Sequence, residues 1–67
     1  MQGTVKFFDD IKGYGFIMGE DGTEYFIHRT KIKPKDQMTM TLARDEKVSF
    51  DPSASGRGPV ALMVEKV

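Results

Sequence analysis

The chain has 67 residues, the length of one small domain over residues 1–67, and no cysteine, so neither a disulfide nor a thiolate metal site can brace it. Ten Lys plus Arg balance ten Asp plus Glu, which argues against a partner held by bulk attraction to phosphate; any nucleic-acid affinity has to come from local charge and stacking. A domain this small buries only about 60% of its unfolded-chain surface, so a closed, economical fold is expected.

Gly3 to Phe8 alternates as a first strand, and Asp9 to Gly13 reads as a turn. Tyr14 to Met18 is a second strand, closed by Gly19-Glu20-Asp21-Gly22, where Asp-Gly is a favoured hairpin pair. Glu24 to His28, rich in aromatic and β-branched residues, is a third. Lys33 to Arg44, with Pro34 and alternating Met and Thr, reads as a long loop. Glu46 to Phe50 is a fourth strand stopped by Pro52, and Ser53 to Gly58 a second loop. Pro59 to Lys66 is the fifth strand, with proline at its start, where a missing donor is tolerated. Helical periodicity is absent. The fold class predicted is all-β, a five-stranded antiparallel barrel of the oligonucleotide-binding (OB-fold) type.

Six of the seven aromatics lie between residues 7 and 26. Alternation sorts them by face. Val5, Ile17 and Ile27 form one apolar β-branched set, the expected core, with Phe7 and Tyr25 on the same side. Lys6, Phe8, Tyr14, Phe16, Phe26 and His28 form the other, with Lys12 in the turn beside it. A core does not select lysine and histidine; a nucleic-acid platform does, because ring faces accept any base and cations meet the phosphates between them. Gly13 and Gly15 flank Tyr14 and remove side chains where the strand curves or packs closely. His28, the lone histidine, has no visible catalytic or metal-binding partner, and Arg57 between two glycines reads equally as a backbone contact or a solvated loop charge.

Lys6-Phe7-Phe8-Asp9-Asp10-Ile11-Lys12-Gly13-Tyr14-Gly15-Phe16-Ile17 resembles the first signature of cold-shock domains. Tyr25-Phe26-Ile27-His28 resembles the second, and Gly56-Arg57-Gly58-Pro59 the loop before the last strand. The resemblance covers nearly the whole chain. It implies single-stranded RNA or DNA as partner, a role as an RNA chaperone, and nucleic-acid contacts at Lys6, Phe7, Phe8, Lys12, Tyr14, Phe16, Phe26 and His28. It also implies an exposed Phe7, which requires a twist or bulge that simple alternation lacks. Phe7 stands where the family typically has tryptophan, Asp9 where it has asparagine, and Met63 where it has another asparagine. Arg29 takes the place of a third-strand aromatic; its guanidinium can still stack on a base and attract phosphate. Asp9, Arg29 and Arg57 complete the candidate site.

The segment is not an RNA-recognition motif, since no strand and helix precede Lys12-Gly13, nor a dinucleotide-binding loop, since no helix follows. With one histidine and no paired carboxylates the chain is expected not to be an enzyme, and no cofactor or small-molecule substrate is implied. The competing reading is a small barrel that binds a peptide on its aromatic face. No apolar run reaches the length of a signal peptide or membrane span, so a cytoplasmic protein with no membrane contact is expected. A monomer or weak, strand-exchanged dimer is expected.

Overall fold

A computed structural model describes residues 1–32 and 42–67. Five strands, β1 (Gln2–Asp9), β2 (Tyr14–Gly19), β3 (Glu24–His28), β4 (Lys47–Ser55) and β5 (Gly58–Lys66), close into a barrel in the order β1-β2-β3-β5-β4. A 3-10 turn, Arg29–Lys31, follows β3. Val5, Ile17 and Ile27 are fully buried as expected, joined by Val48, Phe50 and Val64 from the C-terminal hairpin. Tyr25 packs on Phe50 with ring centroids 5.0 Å apart. Of the loop expected over Lys33–Arg44, residues 33–41 lie outside the described residues, and Leu42 is buried in the core.

The sheet corrects the expectation of a purely antiparallel barrel. Every neighbouring pair is antiparallel except β3 and β5, which run parallel with Phe26 opposite Val60. The reason is parity: five strands in a closed ring cannot all alternate in direction, so one seam must be parallel. That seam is thinly paired, with a second parallel bridge joining Ile32 to Val64.

Pro52 does not stop β4, which continues to Ser55 and replaces most of the expected second loop; only Gly56-Arg57 turn. β1 pairs with β4 at Lys47–Ser49 and Met1 exchanges hydrogen bonds with Phe50, so beyond Phe50 that edge of β4 has no strand partner among the described residues and a residue without an N–H breaks no ladder on that side. Asp51 and Pro52 on this edge also discourage pairing with another chain.

Two irregularities set which side chains face out. In β1, Val5 lies opposite Ile17 but Phe7 opposite Phe16, so Lys6 is one residue too many and the strand bulges. In β5, Glu65 lies opposite Ser49 but Leu62 opposite Asp51, and the extra length is absorbed at Met63, whose φ is +53°. That left-handed conformation suits asparagine or glycine better than methionine.

Candidate nucleic-acid interface

The bulge at Lys6 reverses the side-chain alternation of β1 from that point on. Phe7, which alternation puts inside, is 44% exposed, and Phe8, which alternation puts outside with Lys6, is half-buried and packed against the core. Phe8 therefore leaves the outward set, and Phe7 enters it. Close approach of the strands makes this possible: a Cβ on Gly15 would lie 2.1 Å from the Phe7 carbonyl oxygen and 2.7 Å from the Phe8 Cα. Only glycine lets β1 settle onto β2 there.

On β2 and β3 the expected faces hold. Tyr14 lies opposite His28, Phe16 opposite Phe26, and Met18 opposite Glu24, so these six side chains share the outer face. Phe7, Tyr14, Phe16 and Phe26 form one connected group of rings. Phe7 meets Phe16 at 5.6 Å and Tyr14 at 6.3 Å; Phe26 meets Phe16 at 5.7 Å and Tyr14 at 5.9 Å. Edge-to-face and tilted packing among themselves leaves the rings half-exposed, with π-faces a flat ligand can cover.

The polar residues divide along this face. At the Met18–Glu24 end, Lys6 donates to the Glu24 carboxylate at 3.0 Å, so its charge is locally balanced. At the Tyr14–His28 end, the Arg29 backbone N–H donates to the Gly13 carbonyl at 2.8 Å and its guanidinium to the Asp10 carbonyl, which fastens the β1–β2 turn to the end of β3. The arginine side chain lies within 3.8 Å of the space a Cβ on Gly13 would fill. Gly13 has φ +78°, the turn conformation its sequence position suggests.

Asp9 braces the same turn. Its Oδ1 accepts from the Lys12 and Ile11 backbone N–H groups, both at 2.9 Å, and its carbonyl accepts from Gly13 at 2.7 Å. The Lys12 N–H above all, with that of Ile11, holds the carboxyl below the usual carboxylate range. The Asp9 carboxylate thus shapes the turn that carries Lys12.

His28 caps the 3-10 turn: its Nδ1 accepts from the Thr30 N–H at 3.2 Å and lies 3.0 Å from the Thr30 hydroxyl. An accepting Nδ1 places the proton of the neutral ring on Nε2, which leaves a donor at the exposed edge. Across the parallel seam, Arg57 joins Phe16, Phe26, Ser55, Pro59 and Val60 around a groove of about 310 Å³. A second groove of about 300 Å³ continues it past Phe26, His28 and Lys31 along Ser53–Ser55. Ser55, Val60 and Lys31 are not among the expected site residues; Ser55 and Val60 reach the rings only through the β3–β5 seam, which leaves no local pattern in the sequence, while Lys31 follows β3 directly in the 3-10 turn.

Among the described residues, no three His, Asp or Glu side chains gather as a metal site requires. Of the eleven expected site residues, Phe7, Tyr14, Phe16, Phe26, His28 and Arg57 share the ring face and its groove. Lys12, Asp9 and Arg29 stand at one end of it, Lys6 at the other, and Phe8 has turned inward.

Comparison with known proteins agrees with this geometry. The family described as 'Cold-shock' DNA-binding domain matches residues 1–67. Cold shock protein 1 of Lactiplantibacillus plantarum is 48% identical over 62 residues, covering 92% of this chain and 91% of that protein. The major cold shock protein of Streptococcus pyogenes is 41% identical over 66 residues, covering 98% and 96%. Probable cold shock protein A of Mycolicibacterium smegmatis is 42% identical over 67 residues, covering 98% and 97%.

Proposed function

The chain belongs to the cold-shock DNA-binding domain family, and from that premise we propose that it is a non-enzymatic, cytoplasmic binder of single-stranded RNA or DNA that stacks bases on Phe7, Tyr14, Phe16 and Phe26. The observation that carries this reading is the connected group of four half-exposed rings on the outer face of a barrel whose core is filled without them. Duplex bases hide their faces in the stack, so such a surface favours unpaired strands. Each stacked base contributes roughly 1–3 kcal/mol whatever its identity, which makes the binding sequence-tolerant. A protein that holds RNA single-stranded without reading it acts as an RNA chaperone. His28, Arg57 and Lys12 serve the same strand as edge donor and phosphate contacts. The peptide-binding alternative is not favoured, since the family is one of nucleic-acid binders.

Tyrosine fluorescence tests the reading. Tyr25 is buried and donates to the Asp21 carboxylate at 2.8 Å, so Tyr14 is the tyrosine on the ring face that a ligand can reach. A short pyrimidine strand is expected to quench Tyr14 emission with saturation. Phe16→Ala or Phe26→Ala should each weaken the affinity by roughly ten-fold or more while the fold persists. Saturable quenching at wild-type affinity in both variants would overturn the stacking platform.

A further inference from the structure

The ring face is electrically lopsided. At its Met18–Glu24 end Lys6 pairs with the Glu24 carboxylate at 3.0 Å, and Arg44 with Asp45 lines the cleft beside Lys6 and Met18. At its Tyr14–His28 end, three cations stand on two turns that Arg29 bonds together: Lys12 in the β1–β2 turn, and Arg29 and Lys31 in the 3-10 turn. Hydrogen bonds fix the main chain that carries Lys12 and Arg29. Lys12 N–H is bonded to Asp9, Arg29 N–H to Gly13, and the Arg29 guanidinium to the Asp10 carbonyl, while Lys31 lines the groove beside His28 and Phe26. Two carboxylates, Asp9 and Asp10, belong to the same turn; Asp9 is directed into the Ile11 and Lys12 amides. Among the described residues, these three cations exceed the two acids by one charge, whereas Lys6 and Arg44 at the far end are matched by Glu24 and Asp45.

We propose that the Lys12–Arg29–Lys31 end is a subsite for the terminal phosphomonoester of a bound strand. The proposal rests on the single-strand reading above and adds a preference to it. An internal phosphodiester carries one negative charge and two open oxygens. A terminal monoester near neutral pH carries close to two charges and three acceptor oxygens, which is the chemistry a forked guanidinium and flanking ammonium groups recognise. The neighbouring Tyr14 ring and the Nε2–H of His28 would take the first base and sugar, so the strand end lies where the platform ends. Further bases would run over Phe16 and Phe26 toward Phe7.

The test compares hexathymidine bearing a 5′-phosphate, a 3′-phosphate or neither, titrated against the intact protein at low salt by Tyr14 fluorescence. One phosphorylated end is expected to bind roughly five-fold tighter than the unphosphorylated strand, and the difference should shrink as salt screens it. That ratio should fall toward one in Arg29→Gln, and in Lys31→Gln if Arg29→Gln does not fold. The ratio is measured within each variant, so any general loss of affinity cancels. Equal binding of all three strands to the wild type overturns the subsite while leaving single-strand binding intact. Retention of the full ratio in both variants overturns it as well. No binding of any strand would instead reject the underlying platform.

Discussion

At the scale of single residues, backbone conformation at Met63 yields a prediction independent of ligand. A non-glycine residue in the left-handed region costs about 1 kcal/mol, and asparagine bears that cost best. Met63 is 50% exposed, so little apolar burial is lost on replacing it. Met63→Asn is therefore expected to raise stability by about 0.5–1 kcal/mol, read as a higher urea midpoint at unchanged slope. Acid titration is a second prediction at this scale. Asp9 is held below the usual carboxylate range chiefly by the Lys12 N–H. Asp21 is held down chiefly by the Thr23 N–H and then by the Tyr25 hydroxyl. Both groups bind protons more weakly folded than unfolded, so their contribution is complete above about pH 4–5 and is lost as pH falls through their depressed folded values. The urea midpoint should be level from neutral pH down to that point and then drop. Asp9→Asn keeps the Oδ1 acceptor and should make the drop shallower; an unchanged acid arm would contradict the role given to Asp9. The Tyr25 phenol is shifted up, first by Asp21 and then by burial, so its contribution persists through neutral pH and disappears only in strong alkali.

At the scale of elements, the ring face depends on how β1 lies on β2. Gly15→Ala would drive a methyl group into the Phe7 carbonyl. We expect it to cost about 3 kcal/mol or more, enough to leave a domain of this size largely unfolded by circular dichroism. A well-folded Gly15→Ala protein would mean that β1 has room to lift and that Phe7 is not fixed by this contact. The same region shows what the sequence makes legible. Val5, Ile17 and Ile27 against Tyr14, Phe16 and Phe26 follow strict alternation, so the core and most of the platform can be read from periodicity alone. Phe7 and Phe8 exchange sides because one extra residue, Lys6, enters the ladder, and a bulge of this kind has no composition of its own. The resemblance to cold-shock domains placed Phe7 outward where alternation failed; for Phe8 both pointed outward, and the bulge turned it in. Pro52 reads locally as a strand terminator, yet the open edge of β4 tolerates it. Arg57 and Ser55 reach the ring face across a parallel seam that links residues more than thirty positions apart, beyond any local pattern.

At the scale of the whole molecule, the even charge balance and the local cations predict a shallow salt dependence. If Lys12, Arg29, Lys31 and Arg57 each neutralise one phosphate, the logarithm of affinity falls with that of salt with a slope no steeper than about −3. Stacking, which salt does not screen, should leave measurable binding at high ionic strength. The central claim is spatial: a flat, unpaired strand lies across the outer face of β1–β3 and nowhere else. Amide and aromatic chemical shifts followed while hexathymidine is added to isotopically labelled protein test it most directly. The largest changes should fall on Phe7, Tyr14, Phe16, Phe26 and His28, with Arg57 following. Ser49 and Glu65, paired across β4 and β5, should stay still. Shifts concentrated at Ser49 and Glu65 while the ring resonances remain unmoved would contradict it.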